Sequence, residues 1–374
     1  MPAMTAPASP SSVRETRVPA DQPATAAGQP SAPMDQPATA AGQPSAPAVQ
    51  PPASARDGEP CFPADQPAGP ARIVVFGSIN MDVSIAAPRM PGAGETISGS
   101  GFVTNPGGKG ANQAVAAARL GVEVRMIGAV GDDAFGRELL AGLRGYDVGC
   151  DTVQVLPGVT SGVAVIVRAE GDNRIILHAG ANHALDATRA CELLRRTARP
   201  GDVLLAQAEC DADATHAVLR AAHDLGMYVV YNTAPARPTP EGVWADVDLA
   251  CVNETEAELL TGIAPEGAAS RERALDWLLA RGAGAAVITL GMEGSVAREA
   301  GGPVLSVPAM PARAVDTTAA GDTFLGALAA AHVRGLPLAE AMRWGAAASS
   351  IAVTRVGAQA STPTLAELEA RLAG

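Results

Sequence analysis

Along this chain, short runs of consecutive apolar residues alternate with longer stretches in which apolar positions return every three or four residues. The runs at Arg72–Gly77, Val124–Val130, Asp202–Ala206, Met227–Tyr231, Asp248–Val252 and Ala285–Leu290 are too short for helices and predict strands buried on both faces. The helical periods fall between them, at Ala111–Leu120, Phe135–Arg144, Asp213–Leu225, Glu254–Thr261 and Arg271–Arg281. Strand and helix in alternation predict an α/β fold, a mostly parallel sheet with helices on both faces. Ligands of such sheets bind at the carboxyl ends of the strands.

Two regions break the rhythm. Residues 83–103 and 160–178 alternate at the strand period, and Ser161–Arg168 followed by Asn173–His178 predicts a hairpin around Glu170-Gly-Asp172. These pieces are expected to form a small inserted sheet serving as a lid over the site. The competing expectation is an extension of the main sheet's edge.

Composition separates the first 70 residues from the rest. They hold more than half of the chain's 30 prolines and a direct repeat, DQPATAAGQPSAP at Asp21–Pro33 and again at Asp35–Pro47, with a partial echo at Asp65–Ala68. Sequence so rich in Pro, Ala, Gln and Ser cannot bury enough apolar surface to offset its ordering entropy, so residues 1–70 are expected to be a disordered tail and 71–374 the folded domain. The tail lacks the continuous apolar segment of a secretory signal, and no stretch is long enough to span a bilayer. The five cysteines (Cys61, Cys150, Cys191, Cys210, Cys251) show no C-x-x-C pair or metal spacing, which points to reduced thiols in a cytoplasmic protein. A net charge of −12 argues against a nucleic-acid surface. The five histidines (His178, His183, His216, His223, His332) show no metal or nucleophile-partner spacing.

Candidate chemistry gathers at the predicted strand ends. Asn80 and Asp82 follow the first strand two residues apart, so they can face one side and hold hydroxyls of a polyol; the alternative is a turn built on local Asn and Asp bonds. Gly107-Gly-Lys109-Gly-Ala-Asn112 opens a long Ala-rich helix. It is not a Walker A loop, since Gly110 stands where Ser or Thr is required after the lysine. Lys109 and Asn112 can both donate to sugar hydroxyls. Glu209 is either a further hydroxyl acceptor or a solvated loop acid. Asn253 and Glu256, three apart at a helix start, suit either a capping box or the water shell of Mg²⁺, or both together. Thr289 and Gly291 end another strand, where nucleotide phosphates can sit.

The run Val315-Asp-Thr-Thr-Ala-Ala-Gly-Asp322-Thr-Phe is the most informative. It places small residues and then a carboxylate where a helix is predicted to begin. The N–H groups of Ala320, Gly321 and Asp322 can cradle an anion, and Asp322 reads either as a base for an attacking hydroxyl or as a helix cap.

Together these segments resemble the ribokinase-like (PfkB) family of sugar and nucleoside kinases. The resemblance rests on Gly77–Asp82, Gly107–Gly121, His178–Asn182, Asn232–Arg237, Asn253–Gly262, Ile288–Gly291, Ala314–Phe324 and Ala352–Gln359, which occur in the family's order over residues 72 to about 365. It implies an α/β/α sandwich with a small β lid, and transfer of the ATP γ-phosphate to the O5 hydroxyl of D-ribose. By motif match Asp322 is the general base, with Ala319–Asp322 as anion hole. Asn80, Asp82, Gly108, Lys109, Asn112 and Glu209 are sugar contacts. Asn253, Thr289, Gly291, Ala320 and Gly321 lie by ATP, and Glu256 by Mg²⁺ through water. The resemblance also implies K⁺ beside the anion hole, at positions matching Asp316, Thr318, Ala352, Arg355, Gly357 and Ser361, and a homodimer joined through the lid. Two positions depart from the family: Ala346 stands where some members carry a His near adenine, and Thr233 replaces a proline. Kinases for deoxyribose, another sugar or a nucleoside are the alternatives within the family. A sugar-binding regulator without activity is the alternative outside it.

Overall fold

A computed structural model describes residues 70–374. The repeat-bearing tail and Cys61 lie outside the described residues. The chain runs β1 (Ile73–Phe76), β2 (Asn80–Ala86), β3 (Ser100–Gly107), α1 (Lys109–Arg119), β4 (Val124–Gly131), α2 (Ala134–Gly145), β5 (Val148–Leu156), β6 (Gly162–Ala169) and β7 (Asp172–His178). It continues through α3 (Ala187–Thr197), β8 (Val203–Gln207), α4 (Ala212–Asp224), β9 (Tyr228–Asn232), β10 (Leu249–Asn253), α5 (Glu254–Thr261) and α6 (Ala268–Leu279). It ends with β11 (Ala285–Thr289), β12 (Ser295–Glu299), β13 (Val304–Val307), α7 (Ala320–Val333), α8 (Leu338–Ala352) and α9 (Leu365–Ala373).

The main sheet has nine strands in the order β13-β12-β11-β10-β9-β8-β1-β4-β5. Strands β5 to β11 across this order are parallel, while β12 and β13 add an antiparallel hairpin at one edge. The apolar runs work as the period of two requires. Val74, Phe76, Leu204 and Ala206 face the core that holds α3, α4, α5 and α6. Their neighbours Ile73, Val75, Val203 and Leu205 face the core that holds α1, α2, α7 and α8. The result is the predicted three-layer α/β/α sandwich.

Three strands escape the apolar-run pattern. β5 mixes Asp151, Thr152 and Gln154 with apolar residues, and β12 and β13 are short and partly exposed. All three lie at or beside an edge, where the burial that produces continuous apolar runs is lost.

The remaining strands form a separate four-stranded sheet, β3-β2-β6-β7. The small inserted sheet is therefore distinct and not an extension of the main one. It is wider than residues 83–103 and 160–178, because β2 starts at Asn80 and β3 runs to Gly107.

Close backbone approach on the α1 side sets up the site. A Cβ on Gly110 would stand 2.6 Å from the Gly77 carbonyl carbon, so the first turn of α1 rests on the chain leaving β1. A Cβ on Gly326 would stand 2.6 Å from Ala116 Cβ, so α7 lies against α1 along small residues. These two contacts bring residues 112 and 113 within reach of residue 322.

Candidate active site

The carboxyl ends of β1, β8, β9, β10 and β11 open on the same side of the sheet, and α1, α5 and α7 begin there. α7 starts at Ala320, with Ala319 in the left-handed region (φ 57°) as its N-cap. Asp322 is thus in the first turn, not at the cap, and its side chain does not cap. Instead it points into buried amides: Asn112 Nδ2 donates to Oδ2 at 3.0 Å and Gln113 Nε2 donates to Oδ1 at 3.0 Å. The carboxylate is buried. Asn112 Oδ1 is left without a hydrogen-bond partner in the protein.

The turn before α7 is braced from two sides. Ala320 N donates to Thr317 O at 3.2 Å, and Ser349 Oγ of α8 donates to Ala320 O at 2.8 Å. Of the predicted anion-hole donors, the Ala320 N–H is therefore engaged. The N–H groups of Gly321 and Asp322 are those a first helical turn leaves without an intrahelical acceptor.

On the small-sheet side, Asn80 Oδ1 accepts from Asn182 Nδ2 at 2.6 Å, and Asn182 Oδ1 accepts from Ile79 N at 2.9 Å. Asn182 was not among the predicted site residues; its signal is the His178–Asn182 motif. Glu209 is half-buried and engaged: its Oε2 accepts from Ser78 Oγ at 2.5 Å and from Lys109 N at 3.2 Å. Gly108, at φ 89°, is the N-cap of α1, so Lys109 belongs to the helix's first turn.

These groups form one electrostatic unit. Burial first, and then repulsion from Glu209 and Asp322, pushes the Asp82 carboxyl up to about 7, against the pull of Lys109. Burial acts to lower the Lys109 ammonium, but attraction to Asp322, Glu209, Glu256 and Asp82 outweighs it and holds the group above its ordinary value. One cation thus serves four carboxylates.

Next to Asp322 a cavity of about 180 Å³ is lined by Lys109, Asn232, Asn253, Glu256, Thr289 and the Ala319–Asp322 turn, among others. Asn253 and Glu256 make the expected capping box: Asn253 Oδ1 accepts from Glu256 N at 2.8 Å, and Glu256 Oε2 from Asn253 N at 2.9 Å. Burial raises the Glu256 carboxyl, with Asn253 N–H and Lys109 opposing. Gly291, at φ 50°, lies beyond Thr289 at the surface.

The turn before α7 meets the segment that follows α8. Asp316 Oδ1 accepts from Thr318 N at 2.9 Å and Oδ2 from Gly357 N at 2.9 Å, while Val353 O accepts from Val315 N and Asp316 N. Burial works to raise the Asp316 carboxyl, but the N–H donors of Gly357 and Thr318 prevail and hold it below its ordinary value. Ser361 Oγ donates to Ala358 O, and the Arg355 guanidinium pairs with Glu367 of α9. Ala352 O accepts from Arg355 N at 3.0 Å. Of the departures, Ala346 is buried in the helix core and Thr233 is fully buried with its hydroxyl unpartnered.

Amide, carboxylate and ammonium groups beside a small sheet, a buried carboxylate next to them and a polar cavity are the kind of parts that phosphoryl transfer to a polyol needs, since that chemistry rests on positioning and charge stabilisation. The molecule is a small-molecule kinase by fold and site. The chain belongs to the pfkB family of carbohydrate kinases, whose profile matches residues 70–365. It is 40% identical over 307 residues to a ribokinase of Schizosaccharomyces pombe, covering 79% of this chain and 96% of the relative. It is 33% identical over 298 residues to a deoxyribokinase of Salmonella typhi, covering 78% and 96%. The structure of an Arabidopsis thaliana ribokinase complexed with ribose and ATP superposes with a TM-score of 0.76 at 32% identity, covering 81% of this chain and 99% of that one.

Proposed function

We propose that the protein is an ATP-dependent ribokinase: it transfers the γ-phosphoryl group of ATP to the O5 hydroxyl of D-ribose, giving D-ribose 5-phosphate and ADP. The observation that carries this reading is the position of Asp322, with amides behind it, sugar-binding candidates on one side and the cavity on the other. Asn80, Asp82, Lys109, Asn112 and Glu209 hold the sugar hydroxyls, and backbone of Gly108 lies against the ring. A hydroxyl donating to Asn112 Oδ1 completes that buried amide. Asp322 accepts the O5 proton as the O5–phosphorus bond forms and the bond from phosphorus to the ADP oxygen breaks. Gly321 and Asp322 N–H, at the positive end of α7, stabilise charge on the transferring group. Asn253, Thr289, Gly291 and Ala320 border the nucleotide.

The donor chemistry fits two ions. Glu256, a buried carboxylate on the cavity, suits Mg²⁺ held through water; the ion, when bound, neutralises phosphate charge. Asp316, held below its ordinary value by the N–H groups of Thr318 and Gly357, suits K⁺, with Ala352, Arg355 and Ser361 as the further candidates for its cage. A homodimer through the small sheet is supported by its exposed Phe102, Val103, Val165, Ile175, Ile176 and Leu177. A cytoplasmic location is supported by the four cysteines among the described residues, which are free and buried.

The test is ADP release and product phosphate with D-ribose, 2-deoxy-D-ribose, fructose and adenosine. Ribose should give the highest kcat/KM, with phosphate on O5. A higher value with deoxyribose favours the deoxyribokinase reading, and ribose binding without turnover makes the protein a regulator.

A further inference from the structure

Behind Asp322 lies a chain of buried amides, of which Asn232 borders the cavity while Gln113 and Gln207 do not line it. The backbone carbonyl of Cys251 can only accept, so Asn232 turns its Nδ2 to it, at 3.0 Å. Asn232 Oδ1 then faces Gln113, whose Nε2 is 3.3 Å away. Gln113 must present its nitrogen on this side, and that same nitrogen is the donor to Asp322 Oδ1 at 3.0 Å. From the opposite side, Gln207 Nε2 donates to Gln113 Oε1 at 2.7 Å. Asn232 therefore imposes one orientation on the Gln113 amide, and the Gln207 amide, whose Oε1 has no partner of its own, takes up the complementary one. Gln113 and Gln207 are 0% exposed, which excludes them as surface contacts. Gln207 has its place because residue 77 has no side chain: a Cβ there would collide with Gln207 Oε1.

We propose that Gln113 is the positioning residue of the catalytic base, with Gln207 holding its Oε1. The proposal rests on Asp322 being that base. An Asp carboxylate held only by Asn112 can rotate about its χ2, and Asn112 also faces the sugar. The Gln113 N–H pins Oδ1, which fixes the carboxylate plane and leaves Oδ2 to receive the proton. Gln113 touches no substrate in this account; it acts through Asp322.

The test is a set of variants of the full chain, assayed with D-ribose and Mg·ATP alongside thermal melts. Gln113→Met, of similar length but without the donor, should lower kcat by about 10- to 100-fold, the scale of a misplaced catalytic group. KM for both substrates should stay within about threefold, on the same reasoning that no substrate contact is lost. Gln207→Met should lower kcat less, and the double variant should be no worse than Gln113→Met alone, since both act on one bond. In an Asp322→Asn background, Gln113→Met should have no further effect on kcat. A loss of equal size with and without Asp322 would make Gln113 a packing residue and overturn the proposal. Retention of kcat in Asp322→Asn would instead overturn the base assignment itself. If Gln113→Met does not fold, Gln207→Met decides: folded protein with unchanged kcat overturns the proposal.

Discussion

The Glu209 carboxylate is held by the backbone of Lys109 and not by its ammonium: Lys109 N donates to Glu209 Oε2 at 3.2 Å, and Ser78 Oγ reaches the same oxygen. One carboxylate oxygen is thereby committed to fixing the loop, while the Lys109 side chain lines the cavity. Ser78→Ala should loosen Glu209 without moving Asp322. The expected result is a rise of roughly tenfold in KM for the sugar, the scale of a lost bond to a charged group, with kcat little changed. Steady-state titration of the sugar at saturating ATP checks it.

Asp82 links sugar binding to stability with opposite signs. Its folded value of about 7 stands above the ordinary carboxylate value, so the folded state prefers the protonated form. Below the unfolded value the residue is neutral in both states and contributes nothing. As pH rises towards 7 the unfolded chain ionises first, and a penalty on the fold grows and then stays. Asp82→Asn should therefore raise Tm at pH 8 by about 2–4 °C. It should change Tm little at pH 4, while weakening sugar binding. Melts at both pH values, with sugar titration by calorimetry, test the pair of effects.

Asp316 is where the proposed K⁺ site can be tested. Its carboxylate ties the turn before α7 to Gly357, so a cation there acts through the placement of the Gly321 and Asp322 N–H groups. Activity in K⁺ should exceed activity in Na⁺ or in Tris alone at matched ionic strength. Asp316→Ala should abolish the difference. Equal rates in all three conditions with the unaltered protein would remove the cation site.

Asp322→Asn should keep sugar and nucleotide binding and lose kcat by about 100-fold or more, the scale of a missing general base. Calorimetry for binding and single-turnover rates for chemistry separate the two. A near-normal rate would leave Asp322 a structural acid.

Removal of residues 1–69 should leave kcat, KM and Tm within error of the full chain. The family profile begins at residue 70, and the repeat lacks the apolar content of a packed segment. Loss of activity in the shortened protein would assign the tail a contact with the kinase.

The layers of the fold were legible because parallel strands buried on both faces write themselves as apolar runs, as at Ile73–Phe76. β5, β12 and β13 were not, because edge strands alternate or shorten. In the site, the carboxylates stood out at strand ends, and Asn253 with Glu256 could be read as a capping box from spacing alone. The amides that hold them did not stand out. Gln113, Gln207 and Asn182 look like ordinary helix, strand and loop residues until distant segments meet, at separations of 209, 94 and 102 residues for their bonds to Asp322, Gln113 and Asn80. The helix start was also misread by two positions, because Ala319 caps α7 through a left-handed backbone that no side-chain signal announces.

The small sheet is rooted in the sugar site itself. Asn80 is the first residue of β2, and it pairs with Gly107, the last of β3, and with Gly162, the first of β6. Were the sheet to swing, it would act as a lever whose fulcrum is the set of residues proposed to grip the sugar. Its far end, where β6 turns into β7, lies roughly 20 Å from that fulcrum at the rise of a strand. A turn of ten degrees at the root, about the slack of a hydrogen bond, sweeps the tip through roughly 3 Å over that arm. If the sheet swings when sugar binds, a change at the sugar too small to alter any contact would be magnified at that tip. By the same gearing run backwards, a substitution at the tip should tune sugar affinity from a distance.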